Sequence, residues 1–171
     1  MPKPSSLQRE VQQSRPFRST AEEASLGVLR TGSMIKRVLA HVIEPSGITV
    51  AQYNVLRILR GAGAPGLPTL VVRDRLLEAA PGITRLLDKL DAAGYVRRVR
   101  STPDRRQVMC YVTPKGLALL KRLDPFVSAA QESGTIGLKV SEQGALIRLL
   151  DRVREALRRA SAPRAPCPAA V

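Results

Sequence analysis

Between residues 81 and 120 the spacing of apolar side chains changes period twice, and few folds accommodate that. In "PGITRLLDKLDAAG", Ile83, Leu86, Leu87 and Leu90 recur at i, i+3, i+4 and i+7, the repeat of a helix with one buried face. Pro81 suits its opening, and Gly94 stands where a left-handed cap is needed to end it. The period then drops to two. "YVRRVR" and "VMCYVT" are rich in Val and Tyr, and "STPDRRQ" between them carries the turn formers Ser, Pro and Asp. "TPKGLALLKRL" restores the helical repeat, with Thr113 as cap and Pro114 in the first turn, where a missing amide proton costs nothing. The pattern predicts a helix, a two-stranded hairpin and a further helix in direct succession.

Upstream, "ITVAQY" has the form of a capping box, Thr49 with Gln52, flanked by Ile48 and Tyr53 at the spacing of a hydrophobic staple. A helix starts there, with Val55, Leu56 and Leu59 as its buried stripe, and "GAGAPG" ends it. "LPTLVVRDRLLE" reads as a short helix opened by Pro68. Before both, "TAEEASLGVLRTGSMIKRVLAHVIEPSG" begins with acidic residues, spaces Ile35, Val38, Leu39 and Val42 helically, and breaks at Pro45 and Gly47. The helix after the hairpin is expected to bend at Pro125, and a last one to start with Ser141 as cap and carry Leu146, Leu149, Leu150, Val153 and Leu157. Aromatic residues are only 3% of the chain, so the core must be built from Leu, Val, Ile and Ala, which favours packed helices. The expectation is a mainly α (α+β) fold: a winged helix-turn-helix of six helices and a two-stranded wing. It divides into a flexible tail over 1–19, a domain over 20–160 and a second tail over 161–171. Within the domain, 48–118 forms the winged-helix lobe, and 20–45 and 119–160 are long flanking helices.

Lys and Arg number 28 against 14 Asp and Glu, a formal charge of +14 with a pI near 11.1, so a polyanion is the expected partner, nucleic acid foremost. Arginine enrichment from a GC-rich genome is the bland alternative. No stretch approaches eighteen uninterrupted apolar residues and the amino terminus has no apolar signal segment, which predicts a cytoplasmic protein without a membrane partner. Cys110 and Cys167 lie far apart, without metal-ligand spacing. With a single histidine, no phosphate-binding glycine loop and no nucleophile motif, nothing converges on a reacting atom, so neither an enzyme nor a cofactor or metal site is expected.

A winged helix places its second helix in the major groove. With the apolar stripe of 83–90 turned inward, Gly82, Thr84, Arg85, Asp88 and Lys89 face outward; Arg85 can pair with a guanine edge or a phosphate, and Thr84 can meet a thymine methyl or a phosphate. Thr69, at the start of the preceding helix, joins this set. Residues 94–106 hold five arginines and one aspartate. Arg97, Arg98 and Arg100 along the strand are expected to meet phosphates, while Arg105 and Arg106 at the tip reach DNA, Arg106 as a probe of a narrow minor groove. Asp104 would repel phosphate if free, so it is expected to bond loop amides or an arginine such as Arg105, Arg75 or Arg73 and hold the wing in shape. A solvated helix face and a plain charged turn are the alternatives.

"ITVAQYNVLRIL", "PGITRLLDKLDAAGYVRRV" and "PDRRQVMCYVTPKGLALLKRL", in this order and spacing, resemble the multiple antibiotic resistance regulator (MarR) family of winged-helix transcription factors over about residues 20–160. The family's wing carries Asp, any residue, then Arg, here Asp104, Arg105 and Arg106; the resemblance implies a minor-groove role for Arg106 and a wing-stabilising salt bridge for Asp104. Where that family opens its recognition helix with a Ser/Thr-rich turn, this chain has "AAPG". The resemblance also implies a homodimer built from the first and last helices, a double-stranded DNA partner, and a small aromatic or anionic effector bound between those helices and the lobe. Met34, His41, Tyr53 and Arg57 are the residues here that could line its pocket, though a lone histidine such as His41 is more often a packing residue. Some members use a redox cysteine, but Val108, Cys110 and Val112 share a strand face, so an inert buried thiol is expected. The function expected is a dimeric, sequence-specific, ligand-responsive repressor recognising a pseudo-palindromic operator; the alternative is a non-specific nucleoid-associated or RNA-binding protein using the same charge.

Overall fold

The computed structural model describes residues 5–78, 82–102, 104 and 106–161. The chain divides into two compact units, Met1–Gln131 and Glu132–Val171. Among the described residues the elements run α1 (Ser6–Glu10), α2 (Thr20–Ile43), a 3-10 turn (Glu44–Ser46), α3 (Val50–Ala62), β1 (Leu67–Pro68), α4 (Thr69–Asp74), α5 (Ile83–Ala92), β2 (Val96–Arg100), β3 (Val108–Val112), α6 (Pro114–Ser133) and α7 (Val140–Ser161).

Local chemistry sets the boundaries. Ser19 caps α2 by accepting from the Glu22 amide at 3.1 Å, with Glu22 and Glu23 on the positive end of the helix dipole. The capping box of α3 is complete: the Gln52 amide donates to Thr49 Oγ1 at 3.2 Å and the Thr49 amide to Gln52 Oε1 at 2.8 Å. The staple residues Ile48 and Tyr53 are both buried in the core cluster. At the end of α5 the Gly94 amide bonds the Asp91 carbonyl and the Tyr95 amide the Leu90 carbonyl, with Gly94 at φ 73°, the closing pattern of a Schellman motif.

Three expectations need correction. The segment read as a flexible tail forms α1, capped by Ser5 and tied to α2 by an Arg30–Glu10 ion pair at 2.7 Å. The sheet has three strands in the order β1-β3-β2, because Leu67 and Pro68 pair antiparallel with Cys110 and Met109; Pro68 is therefore the N-cap of α4 rather than its first turn. Its missing amide proton is tolerated on an edge strand. α6 runs through Pro125 as one helix. The last helix starts at Val140, and the Glu142 carboxylate, accepting from the Lys139 amide at 2.7 Å, does the capping assigned to Ser141. The prediction for Pro81 falls outside the described residues.

One apolar cluster organises the first unit. Ile43, Leu56, Leu59, Leu87, Leu90 and Leu120, from α2, α3, α5 and α6, are fully buried against Val72, Val96 and Cys110. This core holds α4, α5 and the hairpin as one surface. Two glycines let backbone approach closely. A Cβ on Gly116 would lie 2.4 Å from the Tyr95 carbonyl oxygen, and one on Gly66, at φ 64°, would lie 2.5 Å from the Tyr111 ring. The second unit is α7 with the turn preceding it, and Ile147, Leu149 and Leu157 on that helix are 55–60% exposed.

Candidate nucleic-acid interface

The outward face of α5 follows from its stripe. Ile83, Leu87 and Leu90 are buried, which leaves Thr84, Arg85, Asp88 and Lys89 exposed, with Gly82 exposed at the N-cap. Arg85, Lys89 and Gly82 line a shallow cleft with Thr49 and Gln52 at the start of α3. A second cleft of about 450 Å³ lies between α4, the first turn of α5 and the wing, bordered by Thr69, Leu70, Thr84, Arg98, Arg106 and Gln107 among others. Four of the residues expected to touch DNA, Thr69, Thr84, Arg98 and Arg106, thus border one concavity although they are spread over 38 positions of sequence. Arg105 lies outside the described residues.

The wing tip is ordered by Asp104. Its Oδ1 accepts from the Arg106 amide at 3.0 Å and its Oδ2 from Gln107 Nε2 at 3.0 Å, and the Gln107 amide closes the turn on the Asp104 carbonyl at 2.9 Å. Of the two arrangements open at the sequence level, this is the loop-amide one. Among the described residues Asp104 makes no ion pair, Arg73 being paired with Asp74, and its carboxylate closes an Asx-type turn. Arg106 is exposed, its side chain held over the cleft by a turn whose hydrogen bonds are made elsewhere.

Strand alternation separates the arginines expected to act together. In the β2–β3 register, Val96, Arg98 and Arg100 face Val112, Cys110 and Val108 on one side, while Arg97 and Val99 face Tyr111 and Met109 on the other. Arg98, 20% exposed, pairs through Nη1 with Asp88 Oδ1 of α5. Arg97 lies on the outer face with its guanidinium 4.9 Å from the Tyr111 ring centroid, away from Thr84 and Arg106. The three arginines expected to meet phosphates thus divide between two faces, and of the two on the helix-facing side only Arg100 is exposed. Thr69 is likewise committed, its hydroxyl donating to the Val108 carbonyl at 3.2 Å and lying 3.6 Å from Cys110 Sγ.

Cys110 is fully buried, and burial pushes its thiol pKa up against the opposing pull of the Thr69 hydroxyl and the Arg98 charge. Cys167 lies outside the described residues. Among the described residues, the four suggested for an effector pocket share none of the clefts between α2, α3, α4, α5 and the wing. Tyr53 is buried, its phenol pKa raised by that burial with Asp124 adding to it, whereas Met34, His41 and Arg57 are exposed. The apolar cleft of the first unit, about 170 Å³, lies instead between α2, α3 and the segment after α4, against Gly32, Ile35, Leu39, Val50, Ala51 and Leu77, with a Lys36–Glu78 ion pair at 2.7 Å on its border.

Two side-chain roles at the interface were not read from sequence. Gln107 holds Asp104; its position three residues after an aspartate in a turn is a local signal for that bond. Asp88 binds Arg98; the signal was the alternation itself, which puts Arg98 on the same side as the apolar Val96 and so against a helix.

Comparison with known proteins bears on this geometry. The sequence model of the MarR family matches residues 46–107, from the turn before α3 to the wing. The "HTH-type transcriptional regulator TtmR" of Methylorubrum extorquens is 34% identical over 126 residues; the match covers 74% of this chain and 60% of that relative's length. The "HTH-type transcriptional repressor Rv2887" of Mycobacterium tuberculosis is 28% identical, with 78% of this chain and 96% of that protein covered. Among solved structures, a MarR transcription factor from Planctomyces limnophilus is 38% identical with a TM-score of 0.61 over 79% of this chain and 98% of its own. A cysteine-to-serine mutant of MarR from E. coli complexed with operator DNA has a TM-score of 0.71 at 25% identity, covering 87% of this chain and 99% of its own.

Proposed function

The chain belongs to the MarR family of DNA-binding transcriptional regulators, and from that premise we propose that it acts as a homodimeric repressor of a pseudo-palindromic operator, with α5 in the major groove and the wing in the adjacent minor groove. The observation that carries this reading is the common cleft bordered by Thr84 of α5 and Arg106 of the wing, flanked on the same helix by exposed Arg85 and Lys89. Arg85 and Lys89 supply base-edge and phosphate contacts, and Thr84 a methyl or phosphate contact. Gly82, without a side chain at the helix N-cap, leaves room for a phosphate to approach the first turn. Arg106 enters the narrow groove. Operator DNA is bound in the E. coli relative's structure, and the mycobacterial relative is named a repressor.

Dimer formation is supported by apolar side chains that each unit leaves in water: Leu29, Ile35 and Val38 on α2 at 44–69% exposure, and Ile147, Leu149 and Leu157 on α7. A small aromatic or anionic effector fits the apolar cleft bordered by Lys36, whose ammonium can leave Glu78 for an anionic ligand. Such a ligand lowers operator affinity by the ratio of its affinities for the DNA-competent and incompetent spacings.

Selection of bound duplexes from a randomised pool by the purified full chain tests the reading. A symmetric motif with half-sites about 10 base pairs apart, bound at least about a thousandfold more tightly than random duplex at physiological salt, is the expected outcome. Equal affinity for all duplexes would replace the reading with non-specific nucleic-acid binding.

A further inference from the structure

Asp88 is out of place on a surface that faces a polyanion. It follows Thr84 by one helical turn on the exposed side of α5, its side chain is 54% exposed, and an isolated carboxylate there repels phosphate. Its partner accounts for it. Arg98 rises from the middle of β2 on the face that carries Cys110, donates through Nη1 to Asp88 Oδ1, and has its Nε buried without a hydrogen-bond partner among the described residues. The guanidinium neighbours the Cys110 thiol, whose other neighbour is the Thr69 hydroxyl. A polar path therefore runs from α5 through both wing strands to the start of α4.

We propose that Asp88 and Arg98 form a strut that sets the angle of the wing to the DNA-reading helix, so that both are positioning residues rather than DNA contacts. The hairpin needs one. β1 pairs only with Cys110 and Met109, so the outer half of the wing is a bare two-stranded ribbon, which is marginal in water without support. From Arg98 to Ser101 the strand extends roughly 10 Å, a lever that converts slight rotation at the strut into displacement of Arg106. A guanidinium mostly out of water holds an angle better than a surface pair, because its ion pair is little screened.

The inference rests on the DNA-binding reading above, and its sign separates it from plain electrostatics. Removing a carboxylate from the reading helix of a +14 chain should raise affinity for every duplex if charge alone matters. The strut predicts the opposite. In duplex selection with the full chain, Asp88→Asn and Asp88→Ala should lose about three- to tenfold in affinity for the motif selected by the unaltered protein. The preference at the flanking A·T positions read by the wing tip should be relaxed and the central preference retained, and Asp88→Glu should recover part of the loss. Hydrogen exchange at the Ser101 and Gln107 amides, bonded to Gln107 O and Asp104 O, should accelerate in Asp88→Ala without a fall in the protection of α5. A uniform gain in affinity overturns the strut, and so does a loss confined to one central base pair, which would make Asp88 a base reader. If the unaltered protein selects no motif, the DNA-binding reading itself fails and takes this inference with it.

Discussion

On the helix-facing side of the wing Arg98 is 20% exposed and paired with Asp88; on the outer side Arg97, its neighbour in sequence, lies over the Tyr111 ring, which in turn packs against Gly66. The first side joins the DNA-reading helix to the hairpin, and the second joins the hairpin to the loop after α3. Arg97 and Arg106 are both exposed but Arg97 is stacked on a ring, while Arg98 is half-buried in an ion pair, although all three belong to the same basic stretch. What an arginine does here is decided by strand parity and by what stands opposite it, since alternation sends adjacent residues to surfaces with different partners.

The outer side should be the more fragile under substitution. At Gly66 an added Cβ meets the Tyr111 ring at 2.5 Å and the Cys110 carbonyl at 2.7 Å, with φ at 64°, so Gly66→Ala combines steric conflict with a backbone angle that an L side chain resists. A loss of roughly 2 to 4 kcal/mol of stability is expected, measured by urea unfolding; an unchanged midpoint would mean the ring can move aside and the outer contact is slack. Function should show the reverse asymmetry. Arg106→Ala should leave unfolding unaltered and weaken operator binding by about 1 to 3 kcal/mol, with relaxed preference at flanking A·T positions. Loss of affinity without loss of that preference would assign Arg106 to the backbone instead.

How much of this could be read from the chain divides along the same line between local and non-local causes. Helix starts and stops were legible where a short-range device sets them, as with Thr49 and Gln52 at α3 or Gly94 after α5. The hairpin was legible from its change of period. The third strand was not, because Leu67 and Pro68 are strand only by virtue of Cys110 and Met109 forty residues on, and a two-residue edge has no period to detect. The small helix α1 was missed because "SLQRE" has no sustained apolar repeat and is held by an ion pair to Arg30. Among candidate site residues, the outward placement of Thr84, Arg85, Lys89 and Arg106 followed from helical and turn geometry. The separation of Arg97 from Arg98 could have been read from alternation, whereas the identity of Asp88 as partner required the packing of α5 on β2.

The helix-facing side should also carry a pH signature. Burial raises the Cys110 thiol pKa above its unfolded value, so the folded state holds its proton more tightly and the unfolded state ionises first. The associated stability is fully present below the unfolded pKa and declines as pH rises from there toward the folded pKa, by at most about 1.4 kcal/mol per pH unit. Denaturant midpoints taken from neutral to alkaline pH should fall over that interval, and Cys110→Ala should flatten the fall; Tyr53, also raised by burial, adds its own decline only at higher pH. Equal slopes in both proteins would mean the thiol is not held apart from water.

Arg97 gives the smallest and most discriminating effect. Were it a phosphate ligand, its removal would weaken all duplexes alike and reduce the slope of log affinity against log salt by about one unit, because one counterion fewer is released. With the guanidinium 4.9 Å from the Tyr111 centroid, on the face opposite Asp88 and Cys110, the charge is directed away from the cleft that Thr84 and Arg106 border. Arg97→Ala should therefore cost about 0.5 to 1 kcal/mol of stability through the lost cation–π contact and leave the salt slope nearly unchanged, while Arg100→Ala, on the helix-facing side and exposed, should lower it. Parallel salt titrations of the two variants compare the faces directly. Equal reductions would show that the wing offers both edges to the phosphates and that strand parity does not sort its arginines by function.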